Sequence, residues 1–202
     1  ELRERLNNIR EKIEQSTPAD EGLKVLMITH KVLASQQGYE QLLDILDDGL
    51  RDKEDPFLIF FADTVEPIYQ ALDTSNTQLL FDTLGIKRYP ITKKSEKIKW
   101  KNLHDQLAEV RTQKAIDVLE TIVHSQLIPI PPKVDGWYRL YKDSPEKMYA
   151  SKATIQQFLQ LDYAQFIAVR DFLYPDAQFS TEHGVKGEEY DNVVFVISKG
   201  WN

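Results

Sequence analysis

Leu2, Leu6, Ile9 and Ile13 recur at three- and four-residue spacing with charges between them, the stripe of an amphipathic helix that closes at Ser16-Thr17-Pro18. The period then changes. Residues 23–28 (LKVLMI) form a short apolar run of the length expected for a buried parallel strand, and after Thr29-His30-Lys31 the pattern predicts a helix from Val32 to Leu46. Helical spacing dominates from Asp55 to Ala150, with predicted helices over 57–72, 77–84 and 95–123, the last breaking near Thr112. Ile128-Pro129-Ile130-Pro131-Pro132 predicts an extended linker, because proline removes backbone donors and restricts the residue before it. Helices are predicted again over 153–159 and 163–172. Two strands follow, over 177–181 and over the apolar run 192–198 (NVVFVIS).

Strand, polar turn and helix make half of a βαβ unit, and the β character returns only at the end of the chain. The pattern therefore predicts an α/β fold: residues 1–54 and 151–202 form a parallel-sheet domain, into which a helical subdomain, 55–150, is inserted. The turn after the first strand lies where open α/β sheets bind ligands.

Composition narrows the class. The 202 residues are 42% hydrophobic and 28% charged, as in an ordinary globular protein. No segment approaches the ~20 apolar residues that span a bilayer, and no signal-like segment opens the chain, so no membrane partner and a cytoplasmic location are expected. With no cysteine, disulfide scaffolds, thiolate zinc sites and cysteine nucleophiles are excluded. The net charge of −7 argues against a wholly basic nucleic-acid coat protein.

That charge is unevenly spread. Residues 44–55 hold Asp44, Asp47, Asp48, Asp52, Glu54 and Asp55 against Arg51 and Lys53. Residues 87–101 hold Lys87, Arg88, Lys93, Lys94, Lys97, Lys99 and Lys101 against Glu96, with Tyr89 and Trp100 among them. The basic stretch reads either as a solvated helix face or as a track for a phosphate backbone, with an aromatic to stack a base. Lys93, Lys94 and Lys97 are its candidate DNA contacts.

The densest chemistry lies in the loop between the last two predicted strands. Gly184 and Gly187 permit close backbone approach, His183 and Lys186 offer donors for phosphate oxygens, and Glu189 offers an acceptor for a ribose hydroxyl. A polar surface loop with turn glycines is the plain alternative. The spacing carries more. Thr181, His183, Lys186, Gly187, Glu189, Tyr190, Val193, Val194 and Phe195 match in order a pattern that resembles motif V of superfamily 1 DNA helicases of the UvrD/Rep type, with Glu188 in place of the customary leucine. The run LKVLMI with Thr29-His30-Lys31 is similar to the strand and turn of that family's motif IV, with His30 or Lys31 where relatives carry an arginine.

The resemblance implies a RecA-like second motor domain with a helical insertion. It implies that Gly187 and Glu189, with His30 or Lys31, meet ATP and its Mg²⁺, and that Thr181, His183 and Lys186 lie along single-stranded DNA or at a duplex junction. It also implies a partner, the first RecA-like domain of the same parent chain. Both ends of the sequence read as interruptions, so a fragment is expected. No Gly-x-x-x-x-Gly-Lys-(Ser/Thr) loop, no apolar strand ending in Asp-Glu and no arginine-finger motif occurs, so no catalytic residue is assigned and the chain alone is expected not to hydrolyse ATP. The histidines at 30, 104, 124 and 183 lack ligand spacing, and no metal site is assigned; His104 and His124 read as helix-surface residues. The rival expectation is a stand-alone α/β module that binds protein or nucleic acid without ATPase activity, anchored by Trp100, Trp137, Trp201 or the aromatics of 138–141, whose other reading is core packing.

Overall fold

The computed structural model describes residues 12, 23–27, 30–46, 55–86, 93–143, 150–173, 179–181, 189–190 and 192–196. Its strands are β1 (Leu23–Met27), β2 (Phe179–Thr181) and β3 (Asn192–Val196). Its α-helices are α1 (His30–Gln37), α2 (Glu40–Leu46), α3 (Pro56–Phe60), α4 (Glu66–Asp73), α5 (Thr77–Leu84), α6 (Lys94–Val110), α7 (Ala115–Ser125), α8 (Pro132–Asp143), α9 (Ala150–Leu159) and α10 (Ala164–Leu173). The chain divides into two compact units, 1–40 with 168–202, and 41–167.

In the first unit β1 is the central strand, parallel to both neighbours in the order β2-β1-β3. Leu26 is buried, and α1 packs on β1 and β2 with Leu33 and Ala34 fully enclosed. Helix α1 is shorter than the sequence predicts. Gly38 takes φ 86°, and the N–H groups of Gly38 and Tyr39 both donate to the Ala34 carbonyl at 2.8 and 2.9 Å. A left-handed glycine ends the helix there, and a new one starts at Glu40.

The predicted fold class, an α/β RecA-like parallel-sheet domain with an inserted helical subdomain, is corrected by this architecture. The described residues are predominantly helical, and their strands contain five, three and five residues. A doubly wound α/β sheet is covered on both faces, whereas Val193 and Phe195 of β3 stand 48% and 44% exposed. Apolar residues recur at helical spacing over most of the chain, so most of the core is helix on helix. By their contacts, α9 and the first part of α10 group with the helical unit.

In that helical unit Asp55 caps α3, its Oδ1 accepting from the N–H groups of Phe57 and Leu58 at 2.9 and 3.0 Å, with Pro56 at the first helical position. The helix continues through a π turn at Phe61–Val65 into α4. Pro67 explains the widened turn: it has no N–H to donate and its ring crowds the preceding carbonyls. Phe57, Phe61, Phe158, Tyr163 and Phe166 build the aromatic core, with ring centroids 4.8 Å apart for Phe158–Phe166 and 5.0 Å for Phe61–Phe166. Trp100, Leu103 and Leu107 bury one stripe of α6, and Ile116, Val118, Leu119 and Ile122 bury α7.

Two polar devices tie distant segments together. Glu66, only 4% exposed, takes a bidentate pair from Arg111, Nε to Oε1 at 3.0 Å and Nη2 to Oε2 at 2.7 Å, and the guanidinium lies 3.8 Å from the Tyr69 ring centroid. Buried Gln165 accepts from the Leu42 N–H at 3.0 Å and donates to Gln41 at 2.9 Å, so it supplies a partner to an N–H in the first turn of α2. The predicted linker at 128–131 is irregular, but Pro132 opens α8, where the missing N–H costs nothing.

Candidate functional site

The three strands run in one direction, and the register makes their carboxyl ends level: Met27 pairs with Thr181 on one side and with Val196 on the other. Thr181 is the last residue of β2, and α1 begins at His30, three residues beyond β1. The backbone thus brings His30, Lys31 and Thr181, predicted from separate motifs more than a hundred residues apart, to one edge of one sheet. Lys31 is exposed there. This is the edge where parallel sheets bind ligands, since the loops leaving the strands splay apart around a crevice.

Glu189 does not join them. It is exposed and stands ahead of β3, whose first residue, Asn192, pairs with Leu23 at the opposite, amino end. Four residues of strand, about 13 Å, separate the Leu23 and Met27 levels. Next to Glu189, the Tyr190 ring lies 5.0 Å from the Lys24 ammonium. His183, Lys186 and Gly187 lie outside the described residues, as do Lys87, Arg88, Tyr89 and Trp201.

The basic stretch resolves into helix α6. Lys93, at its N-cap, and Lys94, Lys97, Lys99 and Lys101 are exposed. Trp100 is not available to stack a base, because it is 4% exposed and belongs to the core stripe. Trp137 is half-buried and packs on Phe57 with centroids 5.5 Å apart. The expected surface residue His104 is half-buried, stacked on Tyr69 at 5.2 Å, with Nε2 3.4 Å from Asp73. That distance suits a charge interaction when the ring is protonated, without hydrogen-bond alignment.

Lys24 is the polar residue that pattern reading passed over. It is 7% exposed within β1, and a lysine inside an apolar strand is the signal that marks it. Among the described residues no group of three or more His, Asp or Glu is placed to hold a metal ion, and no helix is long and apolar enough to cross a membrane. Compared with known proteins, the chain matches no family model, no curated sequence and no solved structure.

Proposed function

We propose that the chain is a segment of an ATP-dependent DNA helicase acting in the cytoplasm, and that the carboxyl edge of its small parallel sheet meets nucleotide phosphate and single-stranded DNA. The observation that carries this reading is the convergence of Thr181, where the nine-position motif begins and which is level with Met27, with His30 and Lys31, the first residues of α1 just beyond that strand end. Two sequence segments that resemble neighbouring helicase motifs are brought together by strand register, at the edge where such ligands are held.

In this reading His30 and Lys31 supply cationic donors to phosphate oxygens, and Thr181 with His183 and Lys186 lies along the DNA backbone. Glu189, on the entry side of β3, is not among the residues gathered at the carboxyl edge, so the reading does not depend on its contact with a ribose. The phosphate cradle and the Mg²⁺ ligands belong to a first motor domain elsewhere in the parent chain, because the sequence holds no Gly-Lys pair to form one. Stepping along DNA then requires both parts, and this chain supplies a gripping surface.

The test is fluorescence anisotropy of a labelled oligothymidylate with the 202-residue chain, alongside phosphate release. Weak, salt-sensitive binding that falls at least several-fold in Thr181→Val and in His183→Ala, with no ATP turnover, is expected. Binding indifferent to both substitutions overturns the sheet-edge site, and robust turnover by the chain alone overturns its assignment as a helicase segment.

A further inference from the structure

The helical unit carries ten described cationic side chains, and they fall into two sets. Arg111 pairs with Glu66, Lys114 with Asp162, Arg139 with Asp135 and Lys142 with Glu120, while Lys133 lies over the Trp137 ring. Lys93, Lys94, Lys97, Lys99 and Lys101 make none of these: among the described residues no carboxylate comes within 4.0 Å of their ammonium groups. Glu96, the one acid among them, is half-buried and pairs with none of the five.

The unpaired set is also arranged. At about 100° per residue, Lys94, Lys97 and Lys101 fall within an arc of about 60° and extend over about 10 Å of helix axis. Ile98, 49% exposed, sits next to that arc, opposite the buried stripe of Trp100, Leu103 and Leu107. Helix stability does not account for this placement. Lys93 and Lys94 stand at the positive end of the helix dipole, Lys93 makes no side-chain capping bond, and Lys97 and Lys101 repel one another at four-residue spacing. A chain with net charge −7 has acids to spare, yet Glu96 alone stands among these lysines, and it pairs with none of them.

We infer that the amino-terminal half of α6 is a docking face for single-stranded nucleic acid, separate from the sheet edge and not dependent on it. Phosphates meet the lysine arc, and the exposed Ile98 gives unstacked bases an apolar surface that a duplex would not present. Anion binding relieves the unfavourable charge placement in the same step.

The test uses the full 202-residue chain and labelled oligothymidylate, a duplex of equal length and anionic phosphatidylserine vesicles. With Lys93, Lys94, Lys97 and Lys101 engaged, single-strand affinity falls with salt at a logarithmic slope of about −2.8, about 50-fold between 50 and 200 mM. The double variant Lys94→Gln/Lys97→Gln lowers the slope by about 1.4 without loss of helix by circular dichroism. The control Lys142→Gln, which removes an equal kind of charge already paired with Glu120, leaves the slope unchanged. An unchanged slope in the double variant overturns the proposal, as does equal affinity for the duplex or preferential capture by vesicles. Thr181→Val with the α6 lysines intact keeps the salt-dependent component of binding, so complete loss of binding in that variant also overturns the proposal. A partial fall with the slope retained bears on the sheet edge alone, and the two sites fail separately.

Discussion

Asp55 shows how one side chain carries opposing demands. Its carboxylate caps α3, yet burial pushes its pKa above the ordinary value, against the lowering effect of the bonds from Leu58 and Phe57 and the charge of Lys133. A raised folded-state pKa means that the native state holds the proton more tightly than the unfolded one. The stabilisation is therefore complete below the ordinary carboxylate range and is lost as pH rises through the raised value. Asp55→Asn keeps an acceptor for both N–H groups and removes the titration, so its stability relative to wild type should increase with pH across that range. Asp55→Ala should lose about 1 kcal/mol. Urea unfolding of the three proteins at several pH values decides it; a wild-type-to-Asn difference that does not vary with pH would show that the burial of this carboxyl has no energetic consequence. The capping role was legible from an Asp before a proline and an apolar run, whereas the strength of its burial was not.

Between elements, the joint of α4 with the end of α6 depends on the Glu66–Arg111 pair. Burial works against the guanidinium charge, and the hydrogen bonds and charge of Glu66 more than offset it, leaving Arg111 with a raised pKa. Arg111→Ala would leave a buried carboxylate without its partner and should cost about 3 kcal/mol in denaturant unfolding. The double variant Glu66→Leu/Arg111→Met, which replaces both charges by apolar groups, should recover most of that loss. A loss for Arg111→Ala no greater than for an exposed lysine would mean that water, not Arg111, satisfies Glu66. No spacing rule finds this pair, since its members are forty-five residues apart. The π turn before Pro67, by contrast, follows from a proline placed inside a helical pattern.

At the scale of the molecule, the aromatic core of Phe57, Phe61, Phe158, Tyr163 and Phe166 lies wholly within 41–167. So do both backbone bonds that join the α6–α7 turn to the α9–α10 turn, Ala115 N–H to Leu161 at 2.9 Å and Tyr163 N–H to Gln113 at 2.8 Å. A unit with its own core and its own cross-links is expected to fold by itself. Residues 41–167 produced alone should show helical circular dichroism and one cooperative thermal transition; a broad, non-cooperative melt would show that the strand-bearing unit is needed to complete it.

The sequence by itself determined where most elements lie. Apolar spacing of 3.6 marks the helices, short apolar runs coincide with β1 and β3, and Gly, Pro and Asp positions mark several ends, because these signals act through neighbours a few residues away. It also placed Thr181 at the end of a strand and Lys97, Lys99 and Lys101 on a helix, whereas His30, read as part of a turn, opens α1, and Lys94 opens α6. Only the tertiary structure decided that helix packing predominates over a RecA-like sheet, that Trp100 is buried, and that Gln165 serves α2. It alone made Met27, Thr181 and Val196 level and left the α6 lysines without carboxylate partners among the described residues. Those outcomes depend on which distant surfaces meet, and the free energy of that choice is spread over contacts that no local pattern encodes.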